Sequence, residues 1–219
     1  MPSDGFISDA AKQGTDSQDK RVYGVTAATV VNNVDTLGLG RVQINLPFRP
    51  DLQPWARVAV PQAGNGRGTY FIPQIGDEVL VAFDKGDVTE PYVIGSLWNS
   101  SDSPPVRLPT DATTRRLIRT PLGHEIDFDE VVQTITVTTS TKQEISLGPD
   151  AIEIKTTGGT ASISLDVAGN IKIKGALSIS LEAPNISIKG ANVEIKGSAA
   201  ATVDGGLATT IQGAVVKIN

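Results

Sequence analysis

The sequence has no cysteine and a single histidine among its 219 residues. The absence of cysteine excludes a disulfide framework and cysteine-based zinc sites, and it fits synthesis in the cytoplasm. No apolar run comes near the roughly 20 residues of a membrane-spanning helix; the longest is Val79–Phe83. The N-terminal residues are polar and lack a basic segment followed by an apolar one, so we expect no signal peptide.

Basic residues are outnumbered by acidic ones. The formal net charge is -5 at pH 7, whereas non-specific binding to nucleic acid depends on neutralising phosphates with lysine and arginine. The charge instead favours solubility and discourages side-by-side association. We therefore expect no nucleic-acid partner.

Aromatic side chains are missing beyond Phe128. From Val131 to Asn219 the chain repeats aliphatic pairs spaced by two residues, with gaps of glycine, serine, threonine, asparagine and lysine. This spacing predicts short strands with one buried face, closed by small-residue turns. The pairs are Ile135/Val137, Ile145/Leu147, Ile152/Ile154, Ile163/Leu165, Ile171/Ile173, Ile179/Leu181, Ile186/Ile188 and Val193/Ile195.

Such strands need a cover that one chain does not supply. A single hairpin is marginal in water, and a flat meander leaves long edges open to other chains. We therefore predict an intertwined trimeric (triple-stranded) β-helix, in which each inward aliphatic side chain contributes roughly 1.5–3 kcal/mol. The predicted trimer core comprises Ile152, Ile154, Ile163, Leu165, Ile171, Ile173, Ile179, Leu181, Ile186, Ile188, Val193 and Ile195.

Two other folds compete for the repeat region. A single-chain left-handed β-helix needs a strict six-residue repeat, but the steps from Ile171 to Ile179 to Ile186 are eight and seven residues. A β-sandwich normally contains aromatic or other bulky filling in its core. Both fit the sequence less well than the three-chain rod.

The front half predicts a different all-β domain. Five apolar segments between Val22 and Asn99, separated by turn-forming residues, favour a small closed barrel of the OB type. The polar residues 1–21 predict a flexible N-terminal arm. We thus predict four parts: the arm 1–21, a barrel 22–100, a linker and neck 101–130, and the needle 131–219. The neck includes His124, Ile126 and Phe128.

Few residues suggest chemistry. The Gly64–Gly68 loop lacks the following lysine and helix of a phosphate-binding loop, so a connection between strands explains it better. His124 with Glu125, Asp127, Asp129 and Glu130 is a possible metal or acid–base cluster. Because Arg115, Arg116 and Arg119 precede it, we expect salt bridges between chains instead. We predict no catalytic residue, no metal and no cofactor.

Two further surfaces have a binding and a structural interpretation. The barrel aromatics could stack on a sugar or an oligonucleotide, but few basic residues lie among them, so core packing explains most of them better. These aromatics are Trp55, Tyr70, Phe71, Tyr92 and Trp98. The end of the chain would place apolar residues on a small blunt face that needs a cap, although fraying explains it equally well. The residues of this candidate cap-docking face are Val215, Val216, Lys217, Ile218 and Asn219.

Several motifs together resemble the spike proteins of contractile tails, namely phage baseplate assembly protein V and the VgrG proteins of type VI secretion. The similarity covers about residues 22–130, and the repeats behind it fit the family's β-helix. The motifs are Asp35-x-Leu37-Gly38-Leu39-Gly40-Arg41-Val42, Trp55-Ala56-Arg57-Val58, Gly66-Arg67-Gly68 with Tyr70-Phe71-x-Pro73, Gly76-Asp77-Glu78-Val79, Pro91-Tyr92-Val93-Ile94-Gly95 and Gly123-His124-Glu125-Ile126.

The resemblance implies a non-enzymatic homotrimer at the centre of a baseplate, driven through a target envelope when a sheath contracts. It implies assembly into a virion tail or injection particle, with transient contact with the target membrane. Some relatives have a lysozyme domain for which residues 102–119 leave no room. Others have hub domains before the barrel, so we expect a separate hub protein. No histidine follows His124, so we expect a separate PAAR-type tip protein rather than a metal at the tip.

Two other function classes remain. A trimeric β-helical polysaccharide depolymerase would need carboxylate pairs in an aromatic-lined groove, which the aromatic-free rod argues against. An OB protein that binds single-stranded nucleic acid would need a basic surface.

Overall fold

The computed structural model describes residues 21–217, and these divide into two compact units. The first unit runs to Pro121 and includes Asp127–Gln133; the second contains Leu122–Ile126 and the chain from Thr134 onward. The predicted arm, apart from Arg21, lies outside the described residues, as do Ile218 and Asn219.

A closed five-stranded barrel forms the front of the first unit. Its strands are adjacent in the order β1-β2-β3-β7-β6, with β3 and β7 parallel and the other described pairs antiparallel. This confirms the predicted OB-like barrel. The strands of this region are β1 (Thr26–Asn32), β2 (Val42–Asn45), β3 (Trp55–Val58), β4 (Ala63–Gly64), β5 (Arg67–Gly68), β6 (Glu78–Asp84) and β7 (Asp87–Leu97), of which β4 and β5 form a separate hairpin.

The barrel core is almost entirely aliphatic. Strand β6 alternates between buried and half-buried residues, as expected of a strand with one face inward. The core residues, all at most 9% exposed, are Ala28, Val30, Val42, Ile44, Leu46, Ala56, Val79, Val81, Phe83, Val88 and Val93.

The prediction that most barrel aromatics pack in this core is wrong. Tyr70, Phe71 and Trp98 are exposed. Trp55 and Tyr92 are half-buried, and the guanidinium groups of Arg41 and Arg57 lie 5.4 and 5.5 Å from their ring centroids. The physical reason is the narrow interior of a five-stranded barrel, which branched aliphatic side chains already fill.

Further strands follow the barrel. After a four-residue helix α1 (Asp111–Thr114) come two short strands, and five more strands lie in the second unit. A single 3₁₀ turn, Thr157–Gly159, interrupts the latter, so the described chain is all-β with almost no helix. The strands are β8 (Arg115–Arg119), β9 (Glu125–Asp129), β10 (Thr134–Thr138), β11 (Glu144–Leu147), β12 (Ala151–Lys155), β13 (Ala161–Asp166) and β14 (Ile171–Gly175).

Strands β10–β14, which we call the meander, pair antiparallel with their sequence neighbours. Here the strands pair within one chain, whereas the sequence led us to expect neighbouring strands from different chains throughout. The reason is local: connections 139–143, 148–150, 156–160 and 167–170 are short enough to close hairpins.

Residues 176–217, which we call the distal segment, contain no strand or helix. The backbone bends at 176–177, 184, 191–192, 198–199, 206–207 and 214, so successive bends are seven or eight residues apart. Glycine precedes several bends for a steric reason. A Cβ added to Gly175, Gly197 or Gly205 would lie less than 3.0 Å from the carbonyl oxygen three residues further on.

Candidate assembly face

The register of the meander places its aliphatic pairs on one face of the sheet. Opposite residues in successive strands form two rows of five, and alternating residues of a strand point to opposite faces, so both rows share one face. We call this set the aliphatic face. One row is Val137, Ile145, Ile154, Ile163 and Ile173, and the other is Ile135, Leu147, Ile152, Leu165 and Ile171.

The aliphatic face is not covered by the rest of the described chain. Its eight residues on β10–β13 are 38–44% exposed, and Ile171 and Ile173 on the edge strand are 66% and 56% exposed. The barrel core, built from the same residue types, is at most 9% exposed. A contiguous apolar surface of this kind marks an interaction site.

The opposite face of the meander is polar and suited to water. Thr138 pairs with Glu144, which pairs in turn with Lys155. The Lys155 Nζ lies 2.6 Å from Glu153 Oε2 and 3.6 Å from Glu144 Oε1. The hydrogen bond that Lys155 donates to Glu153, with both carboxylates nearby, raises the pKa of Lys155. The sheet therefore has one polar face and one apolar face, and the apolar face is exposed in the single chain.

Side chains fix the turns at the ends of the meander strands. Asp166 Oδ1 accepts hydrogen bonds from the amides of Ala168 and Asn170, at 3.0 and 2.9 Å. The Asn170 side chain also donates to Asp166 and, as the largest cause, lowers the pKa of that carboxyl. In another turn, the Thr156 hydroxyl accepts from the Ala161 amide at 2.9 Å. These contacts hold the strand register within the chain.

The distal segment contrasts with the meander in its hydrogen bonding. Among the described residues 176–217, only one backbone–backbone hydrogen bond forms, from the Ala208 amide to the Gly205 carbonyl at 3.3 Å. Backbone groups that leave water need partners, and the described distal backbone finds almost none within its own chain. Its aliphatic residues are exposed as well.

The structure places the twelve predicted trimer-core residues in two settings. Six lie on the aliphatic face and six in the distal segment, where they are 54–78% exposed. The prediction omitted four residues of the aliphatic face although they have the same spacing of two. These are Ile135, Val137, Ile145 and Leu147.

The predicted neck contains an ion pair with a buried carboxylate. Asp127 is 8% exposed and accepts a hydrogen bond from the Arg115 guanidinium, which raises the pKa of Arg115. Arg116 Nη1 also lies 3.8 Å from Glu130 Oε1. These pairs form within the chain, whereas we expected them between chains. No group of three or more metal-ligating side chains is found among residues 21–217.

The other neck residues are partly exposed. His124 Nδ1 accepts a hydrogen bond from the Ser140 amide at 3.2 Å. Ile126 and Phe128 are 39% and 41% exposed, which is close to the exposure of the aliphatic face. A role for them in assembly stays a prediction.

A single aspartate organises the β1–β2 loop of the barrel. Asp35 accepts hydrogen bonds from the amides of Leu37, Leu39 and Arg41 and from the Arg41 guanidinium. The guanidinium, as the largest cause, holds the pKa of Asp35 well below its usual range. Only 4% of the Asp35 side chain is exposed, so its hydrogen bonds are largely shielded from water.

At the chain end, Val215 and Val216 are 75% and 51% exposed. Their proposed role in cap docking stays a prediction. Separately, no helix in the described part of the chain is long and apolar enough to cross a membrane.

Comparison with known proteins points to one group of assemblies. Residues 26–98 match the family model of the type VI secretion system/phage-baseplate injector OB domain. The type VI secretion system spike protein VgrG3 of Vibrio cholerae is 30% identical over 121 residues, which is 51% of this chain and 12% of that protein.

Two further relatives are also VgrG proteins by name. The actin cross-linking toxin VgrG1 of Vibrio cholerae is 33% identical over 98 residues, 42% of this chain and 9% of that protein. The spike protein VgrG4b of Pseudomonas aeruginosa is 44% identical over 59 residues, 27% and 7% of the two chains. The chain thus spans about a tenth of the length of these relatives. The comparisons confirm the predicted resemblance to the contractile-tail spike family.

Proposed function

We propose that this chain, whose barrel matches the injector OB domain of type VI and phage-baseplate spikes, is a homotrimeric, non-enzymatic needle that punctures a target envelope. The observation that carries the proposal is the aliphatic face: ten branched side chains in two rows, exposed in the single chain. Each branched side chain that becomes buried contributes roughly 1.5–3 kcal/mol. The aliphatic faces of identical copies can cover one another, and this arrangement requires no other partner.

The distal segment supports three copies rather than two. An extended strand has two hydrogen-bonding edges, and the described distal segment uses neither for pairing within the chain. Closed rotational symmetry is the usual arrangement of identical subunits. Three is the smallest closed ring in which each strand has a different neighbour on each edge.

The function of such a needle is mechanical. Strands paired between chains separate only when all three copies unfold together, so the rod resists unfolding kinetically and transmits axial force. The polar face of the meander, with its Lys155 ion pairs, then faces water. The barrel seats the trimer on a separate hub protein, and a PAAR-type protein caps the tip near Val215 and Val216. The assembled particle is a phage tail, a type VI apparatus or a related injection device.

Native mass spectrometry of the purified chain, before and after heating in detergent, tests the proposal. We expect three times the chain mass of 22.9 kDa before heating, and a trimer that persists in cold detergent and dissociates on boiling. A single folded chain at micromolar concentration would overturn the proposal.

A further inference from the structure

We propose that the meander sets the axial register of the three copies and that the distal segment takes its register from it. The inference rests on the proposed trimer. It concerns which part of the needle aligns the chains, and it starts from a difference between the two parts in what they specify.

The distal segment specifies register weakly where two neighbouring units are nearly alike. The tripeptide Ile-Lys-Gly occurs at 188–190 and 195–197 of the distal segment, and also at 173–175 on β14. A branched aliphatic residue precedes each tripeptide by two positions, namely Ile171, Ile186 and Val193. A copy shifted by seven residues therefore brings 186–190 beside 193–197 with matching apolar, lysine and glycine positions. Strands that match after a shift are prone to slippage.

The distal segment also has no internal reference. Its single described backbone–backbone hydrogen bond joins Ala208 and Gly205 across a turn. No other backbone–backbone hydrogen bond fixes the position of the described distal segment relative to the rest of its own chain. A slipped copy would lose contacts only at the ends of the repeated region.

The meander, in contrast, has its register fixed before any copy arrives. Its four strand pairs have continuous register without a bulge. Side-chain hydrogen bonds to Asp166 and Thr156 fix two of its connections. The chain therefore presents the aliphatic face as a preformed unit.

Misalignment of the aliphatic face has a direct consequence. A shift of one copy by one strand, roughly 4.8 Å, leaves one of the five strands and two of the ten aliphatic side chains without a facing partner. Because neighbouring strands are antiparallel, the shift also places each strand beside a strand of opposite direction in the next copy. The aligned arrangement is therefore the best one for the meander, whereas the distal segment has several similar arrangements.

Spin labels measure this register directly. The chain has no cysteine, so Lys189→Cys gives one nitroxide per copy in the exposed distal segment. In the otherwise unchanged protein we expect one inter-label distance by double electron–electron resonance. No inter-label distance, together with a monomer mass, would show that the trimer itself is wrong.

The decisive comparison uses matched isoleucines. In the labelled chain, Ile154→Thr weakens the aliphatic face, and Ile186→Thr makes the same change in the distal segment. We expect a second, longer distance only for Ile154→Thr. A single distance in both variants, or a second distance in both or in Ile186→Thr alone, overturns the proposal.

A second measurement covers the case in which Ile154→Thr does not assemble. Full-length chains and chains that lack residues 191–197 are co-produced with different affinity tags and labelled at Lys174→Cys on β14. If the meander sets the register, mixed trimers form and the distance at position 174 equals that of uniform trimers. A second distance at this position, or failure to form mixed trimers, overturns the proposal.

Discussion

The barrel and the meander are built from the same aliphatic residue types in the same alternation, yet only the barrel encloses them. Ile44 is fully buried, whereas Ile154 is 44% exposed. The difference lies in closure, because the barrel strands return to their starting strand while the meander ends at the edge strand β14. Alternation therefore shows which residues share a face, and topology decides whether one chain can cover that face.

The strongest way to break this comparison is a charge on the aliphatic face. Ile173→Asp would place three carboxylates together in the proposed trimer, and burying an unpaired charge is costly enough to prevent assembly. We expect complete loss of trimers in analytical ultracentrifugation. Lys174→Asp, one residue further along β14, is the control and leaves the trimer intact. A heat-resistant trimer of Ile173→Asp would show that the inward assignment of this residue is wrong.

A cavity in the barrel core tests whether a single chain buries these aliphatic residues without help from other copies. Ile44→Ala removes buried methyl and methylene groups and should reduce the free energy of unfolding of the barrel by about 2–5 kcal/mol. The trimer mass should not change, because the barrel core does not depend on other copies. Chemical denaturation measures the loss. Val34→Ala in an exposed loop is the control, with a change within about 0.5 kcal/mol; an equal effect of both would contradict the assignment of the core.

The Asp35 loop predicts a pH-dependent effect confined to the barrel. Because the pKa of Asp35 is lowered in the folded state, its ionised form stabilises the fold above the unfolded pKa of about 4. That contribution is lost as the pH falls through the lowered folded-state pKa. We expect Asp35→Asn to destabilise the barrel at pH 7 and the difference from the unchanged protein to shrink below about pH 4.

Urea unfolding at several pH values measures this effect. Asp51→Asn is the matched control because the pKa of Asp51 is also lowered by an arginine, Arg49, but its side chain is 67% exposed. We expect a smaller change at every pH for the control. A difference for Asp35→Asn that grows in acid would contradict the assignment.

The smallest expected effect on stability comes from a substitution on the polar face of the meander. Lys155→Met removes two ion pairs whose groups are 36–40% exposed, and exposed pairs contribute at most about 1 kcal/mol. We expect an unchanged trimer and a slightly reduced melting temperature by calorimetry. Loss of assembly would show that this face, rather than the aliphatic face, is covered in the trimer.

The barrel could be predicted from sequence because its turns and alternation are local signals. The turn-forming residues and the five apolar segments between them predicted the five barrel strands. The position of the aromatics could not be predicted, because it depends on the width of the closed barrel. Tyr70 and Trp98 are exposed for this reason.

The meander was harder to predict because a spacing of two says nothing about which chain supplies the next strand. A signal was nevertheless present. The intervals between pairs from Ile135 to Ile171 are irregular, at 10, 7, 11 and 8 residues, and the longer ones accommodate the five-residue connections of hairpins. Beyond Ile171 they become a regular seven or eight. The sequence indicated salt bridges between the arginines and the acidic cluster, but not that Arg115 and Asp127 pair within one chain, since two residues twelve apart meet only once β8 and β9 have formed.

The glycine corners of the distal segment have a consequence for evolution. Three corners depend on a local fit between a glycine (Gly175, Gly197 or Gly205) and a carbonyl oxygen three residues ahead. A corner with its seven or eight residues is therefore a module that can be duplicated or deleted without redesigning its neighbours. In the proposed needle, adding or removing whole modules would change the length of the distal segment without changing the remaining corners.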